Sequence, residues 1–135
     1  MKILFIEDEI FTNKPLFEYL KEKYDIIWLQ TSTDAIDYVN KNTDYGLVIL
    51  DIMMAPPDGM DELEGIDIRN GYSMGLGILK LINRKNEQAK IIIFSARNDF
   101  ESEKIFKQLK YDERFLKPRI VDDLVDEIEQ LIKKV

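Results

Sequence analysis

Histidine and cysteine are both absent from the 135 residues. Without imidazole there is no Ser-His or Cys-His nucleophile pair, no His-ligated metal and no phosphohistidine. Without thiols there is no disulfide framework, which fits a reducing cytoplasm, the expected location. No apolar run is long enough to cross a bilayer, and Met1 leads directly into a strand-like segment rather than a secretory h-region. Basic residues are also in the minority: Lys and Arg number 19 against 26 Asp and Glu, a net charge of -7. The chain therefore has no overall attraction for nucleic acid, and neither nucleic acid nor membrane is expected as a partner. Chemistry must rest on carboxylates, hydroxyls, lysine and backbone.

What is present is enough for a core. With 45% hydrophobic residues, the chain reads as one domain over residues 1–135. Its centre is Tyr45 to Met54, YGLVILDIMM, in which four apolar residues end abruptly at Asp51. Such a run suits a strand buried on both faces of a parallel sheet, although periodicity alone does not separate it from a buried helix. Lys2 to Ile6 is a second run of this kind, ending in the acids Glu7, Asp8 and Glu9. A first helix follows, capped by Thr12 or Asn13 and tolerant of Pro15 in its first turn, with Leu16, Phe17, Leu20 and Tyr24 on one face. Asp25 to Leu29 reads as a strand, and Thr31 or Ser32 caps a helix burying Ala35, Ile36 and Val39.

Beyond Asp51 the pattern loosens. Met54 to about Ser73 shows no sustained period and reads mostly as an extended loop, more often mobile than a lid. Helical spacing returns at Met74, Ile78, Leu79 and Ile82. Lys90 to Phe94 is another buried strand, ending at Ser95, and a helix from about Phe100 to Leu109 follows. Arg114 to Leu116 is a brief strand before Lys117 and Pro118. The last helix carries Val121, Leu124, Val125, Ile128, Leu131 and Ile132 on one stripe, with no output domain expected after it. Five strands alternating with five helices predict an α/β fold, a doubly wound parallel sheet. Right-handed crossovers then bring Glu7, Asp8, Asp51, Ser95 and Lys117 to one rim.

Carboxylates converging at a rim repel one another and call for a cation. With hard oxygen donors alone, Mg2+ is the expected ion and Mn2+ the second choice. Lys117 offers a mobile positive charge, Ser95 a hydroxyl donor, and Asp51 a nucleophile able to accept a phosphoryl group as an acyl phosphate.

The segments KILFIEDE, LVILDIMM, IIIFSA and FLKP, in this order on alternating β/α segments, resemble the receiver domain of two-component response regulators. The resemblance covers nearly the whole chain apart from the long loop. It implies a flavodoxin-like, CheY-like (βα)5 fold with strand order 2-1-3-4-5. Asp51 becomes the phosphoacceptor, and Glu7, Asp8, Asp51 and the backbone carbonyl of Met53 hold the ion. Ser95 takes the hydroxyl switch position with small Ala96 after it, and Lys117, followed by a cis bond to Pro118, takes the lysine position. The implied protein accepts phosphate from a histidine kinase or phosphotransfer protein, loses it slowly and signals by contact with a downstream effector. It is not a turnover enzyme.

Three departures stand out. The loop is roughly a dozen residues longer than receivers usually carry, with Asp58, Asp61, Glu62, Glu64 and Asp67 in it. Arg114 stands where the family usually has an aromatic reporter, while Phe115, one residue on, is expected to face the core. Met53 and Arg97 occupy positions that often orient hydrolytic water, and neither activates it. Two other readings compete. One is a receiver-like interaction module that is never phosphorylated. The other is an aspartyl-nucleophile phosphatase of the haloacid dehalogenase kind, which needs a second Asp where this chain has Met53.

Overall fold

The computed structural model describes residues 1–69, 71, 73–95, 100–116 and 121–134. The central sheet contains β1 (Lys2–Ile6), β2 (Asp25–Leu29), β3 (Tyr45–Asp51), β6 (Lys90–Ser95) and β7 (Glu113–Leu116). All pairings within it are parallel, in the order β2-β1-β3-β6-β7. For the five strands of the sheet this is the expected 2-1-3-4-5. Two short strands, β4 (Glu62–Leu63) and β5 (Ile66–Asp67), form a separate antiparallel hairpin.

Helices cover both faces. On one side α1 (Ile10–Lys23) and α5 (Val121–Lys133) pack Leu16, Leu20, Leu124, Val125, Ile128 and Leu131 against Ile3, Phe5, Leu47, Ile49, Ile92 and Phe94. On the other, α2 (Ser32–Lys41), α3 (Met74–Lys85) and α4 (Phe100–Phe106) enclose Leu4, Ile6, Val48, Leu50, Ile91 and Ile93. Alternate residues of each strand thus feed opposite cores, so β1, β3 and β6 read as unbroken apolar runs. Each fully buried Ile, Leu or Val contributes roughly 1.5–3 kcal/mol.

The first helix begins earlier than its sequence suggests. Its N-cap is Glu9, whose carboxylate accepts from the backbone N–H groups of Phe11 and Thr12, so neither Thr12 nor Asn13 is the cap. Pro15 accordingly lies inside the helix, where it removes one i→i−4 bond. The expected cap of α2 is present, with Thr31 accepting from Asp34 N–H.

The segment after β3 differs most from expectation. Instead of a structureless loop it carries the β4–β5 hairpin, turned at Glu64 (φ 52°) and Gly65 (φ 80°), both in the left-handed region. Ile68, just past the hairpin, is fully buried, and Leu63 and Ile66 pack on the same core. Arg84 of α3 ion-pairs with Glu64. Because this segment covers the outer side of α3, the helix is buried at every position from Met74 to Leu79 and again at Leu81 and Ile82. A helix buried all round is what a covering element demands. None of the helices among the described residues is long and apolar enough to cross a membrane.

Candidate functional site

Strand register assembles the acidic site. Ile6 of β1 lies level with Leu29 and with Leu50 of β3, so the residue after Ile6 comes level with Asp51. Glu7 continues the line of Ile3 and Phe5, and Asp51 continues that of Leu47 and Ile49, so both carboxylates leave the sheet on one face. The backbone of Glu7 is fixed twice: its N–H donates to Leu29 O (3.2 Å), and its carbonyl accepts from the Trp28 indole N–H (2.8 Å). Trp28 itself is wedged between the rings of Phe5 (5.2 Å) and Phe17 (4.9 Å).

Carboxylate oxygens of Glu7, Asp8 and Asp51 all lie within 4.8 Å of one another. Glu7 and Asp51 are buried, at 2% and 4% exposure, while Asp8 is exposed. Each like-charged pair at this range repels by roughly 3 kcal/mol at an effective dielectric of about 20. Three hard oxygen donors with no thiol or imidazole fit Mg2+. Asp8 also lines a groove of about 380 Å³, together with Gln30, Thr31, Thr33, Pro57 and Asp58 among others.

Asp51 is held by its surroundings. Met53 N–H folds back to donate to Asp51 Oδ1 (3.1 Å). The start of α3 presses against the end of β3, with Gly75 N–H donating to Ile52 O (2.8 Å). A Cβ at Gly75 would overlap Ile52 Cα and lie 2.5 Å from the Asp51 carbonyl oxygen, so only glycine allows this approach. Neither the packing role of Gly75 nor the insertion's hairpin was evident from spacing.

Asn13, expected only as a possible helix cap, instead reaches the acidic site. Its amide Nδ2 donates to Glu7 Oε1 (2.9 Å) and to Glu9 O (2.8 Å), tying α1 to the buried acid. A polar residue on the site side of the first helical turns was the available signal. Glu9, the third acid of the opening triplet, serves as helix cap.

The other expected site residues stand as follows. Ser95 ends β6 and pairs with Leu116 at the tip of β7, on the same rim as Asp51, which pairs with Phe94. Its side chain, together with Ala96, Arg97, Lys117 and Pro118, lies outside the described residues. Phe115 faces the core as expected, 6% exposed and 6.0 Å from the ring of Phe94. Arg114 takes the opposite direction. Its side chain is 16% exposed, ion-paired with Glu103 of α4, with the guanidinium 4.1 Å from the Phe106 ring centroid. Glu103 is held below the ordinary glutamate range chiefly by its hydrogen bond from Arg114.

No family model matches the chain. TrrA from Thermotoga maritima, a response regulator solved in complex with Mg2+ and BeF, is 29% identical, with a TM-score of 0.68 over 96% of this chain and 97% of that one. The CheY-like receiver domain from Methanospirillum hungatei has a TM-score of 0.73 at 18% identity, covering 98% of this chain and 94% of that chain. Among curated proteins, the transcriptional regulatory protein CiaR of Streptococcus pneumoniae is 22% identical over 134 residues. The chain spans about half (52%) of the length of that relative. The resemblance carried by the four sequence segments therefore extends to three dimensions: the chain has the fold of response regulator receiver domains, with an acidic pocket at the C-terminal rim of its sheet.

Proposed function

We propose that residues 1–135 act as a single receiver unit of a two-component phosphorelay, accepting a phosphoryl group on Asp51 with Mg2+ as cofactor. The observation that carries this reading is the convergence of Glu7, Asp8 and Asp51 within 4.8 Å at the end of the central strand. Glu7, Asp8, Asp51 and the Met53 carbonyl are the proposed ligands. When bound, the ion neutralises charge on the incoming phosphoryl oxygens.

An oxygen of Asp51 attacks phosphorus, and the bond to the donor breaks with its electron pair leaving on the donor. The product is an acyl phosphate. Lys117 and Ser95 are assigned to the phosphoryl oxygens by the motif order IIIFSA and FLKP. The donor is a histidine kinase or phosphotransfer protein, since the chain has no histidine of its own. Output is by contact with a downstream protein, and the unit works in the cytoplasm. Support for a signalling role over a hydrolase comes from Met53, which stands where a haloacid dehalogenase-type phosphatase needs its second Asp.

Incubation with acetyl phosphate and Mg2+, read by intact mass, tests the proposal. One phosphate adduct is expected, lost on chelation and in Asp51→Asn. A receiver-like interaction module would stay unmodified.

A further inference from the structure

Asn13 has no assigned part in the site, yet its side chain is placed by three acceptors. Nδ2 reaches Glu9 O at 2.8 Å, Glu7 Oε1 at 2.9 Å and, at longer range, Thr12 Oγ1 at 3.4 Å. The carbonyl and the carboxylate only accept, so the NH2 end of the amide must face them. Two of these bonds, to Glu9 O and Thr12 Oγ1, stay within the start of α1, and the third leaves the helix for Glu7. What it does reach is a carboxylate at 2% exposure that shares the cluster with Asp8 and Asp51. An amide bonded to one oxygen of a buried carboxylate restricts its rotation and so biases the direction in which the group faces its neighbours. The ring of Trp28 against Phe5 and Phe17, and its indole bond to Glu7 O, hold the backbone of the same residue from the other side.

We infer that Asn13 is a positioning residue for divalent-cation binding: it orients the Glu7 carboxylate so that the Glu7–Asp8–Asp51 cluster is preformed before the ion arrives. The inference rests on the proposed Mg2+ site. Outer partners of this type typically tune metal affinity by 10–100-fold.

The chain contains one tryptophan, Trp28, hydrogen-bonded to Glu7, which makes it a built-in reporter. The experiment is a Mg2+ titration of the full chain read by Trp28 fluorescence, repeated with Mn2+ by calorimetry. Wild type, Asn13→Ala, Asn13→Ser, Glu7→Gln and the double variant Glu7→Gln with Asn13→Ala are compared. Thermal unfolding of each metal-free protein checks the fold. Asn13→Ala is expected to weaken Mg2+ binding about tenfold or more, with the metal-free unfolding midpoint close to wild type. Asn13→Ser, too short to reach Glu7, is expected to behave the same way. In the Glu7→Gln background the Asn13 substitution is expected to add nothing, since it acts through that carboxylate. Equal affinity in wild type and Asn13→Ala overturns the inference and leaves the phosphoacceptor reading standing. An undiminished loss in the Glu7→Gln background assigns Asn13 to the fold and overturns it too. A wild-type chain that binds neither ion overturns both.

Discussion

Arg114 in β7 stacks its guanidinium 4.1 Å from the ring centroid of Phe106 in α4, while the same group ion-pairs with Glu103 one turn earlier on that helix. Tyr111 completes the cluster with its ring edge-on to Phe106, at 5.5 Å. The position usually held by a rotating aromatic in receivers is thus filled by a cation that binds the strand to the helix.

Arg114→Ala is expected to destabilise the protein by about 1–2 kcal/mol, the scale of a partly desolvated cation–π contact, and to alter phosphate-dependent binding of an effector. Denaturant unfolding and a partner-binding assay check both. The pH dependence has a definite sign. Glu103 is held below its ordinary range by Arg114, so its contribution is full above the unfolded value, about 4.3, and fades as pH falls through the lower folded one. The stability gap between wild type and Glu103→Gln should therefore be widest near neutrality and close in acid.

Gly75 is a second point of control. Gly75→Ala places a methyl group against the Asp51 carbonyl and Ile52 Cα. The helix must back away from the acceptor strand, at an expected cost of about 3 kcal/mol. Phosphorylation of whatever remains folded should fall as well, because Asp51 moves with that backbone.

The hairpin offers the opposite result. Ile68 is fully buried against α3, and Ile68→Ala should cost about 2–5 kcal/mol in chemical denaturation. The acidic cluster is made of Glu7, Asp8 and Asp51, at the ends of β1 and β3, so phosphate uptake by the folded variant should be unchanged.

Loss of phosphate is expected to be slow. Met53, whose N–H bonds to Asp51, has no group able to activate water. Decay followed by intact mass should extend over minutes or longer, and Met53→Glu, which supplies a base, should speed it several-fold.

The sheet was legible because each buried strand shows as an apolar run, and its order was implied by the family resemblance: KILFI ends with β1, while LVIL and KIIIF each stop one residue short of the end of their strands, at Asp51 and Ser95. Convergence of Glu7, Asp8 and Asp51 then follows from parallel strands in register. The hairpin was not legible. Its strands are two residues each, too short for a period of two to register, and its turn is Glu64-Gly65 rather than Asn-Gly or Asp-Gly. The start of α1 was misplaced because Glu9 caps the helix, and Glu is outside the usual capping set. Asn13 was read only as a candidate helix cap, and Gly75 was not singled out, because their contacts across the chain, to Glu7 and to the end of β3, are ones that no local spacing encodes.

The most direct measurement is chemical mapping of the acceptor. After incubation with acetyl phosphate and Mg2+, borohydride reduction converts an aspartyl phosphate to homoserine, and peptide mass mapping locates it. Homoserine at position 51 and nowhere else is the expected result. Modification at another acid, or none at all in a chain that remains folded and metal-loaded, would contradict the account.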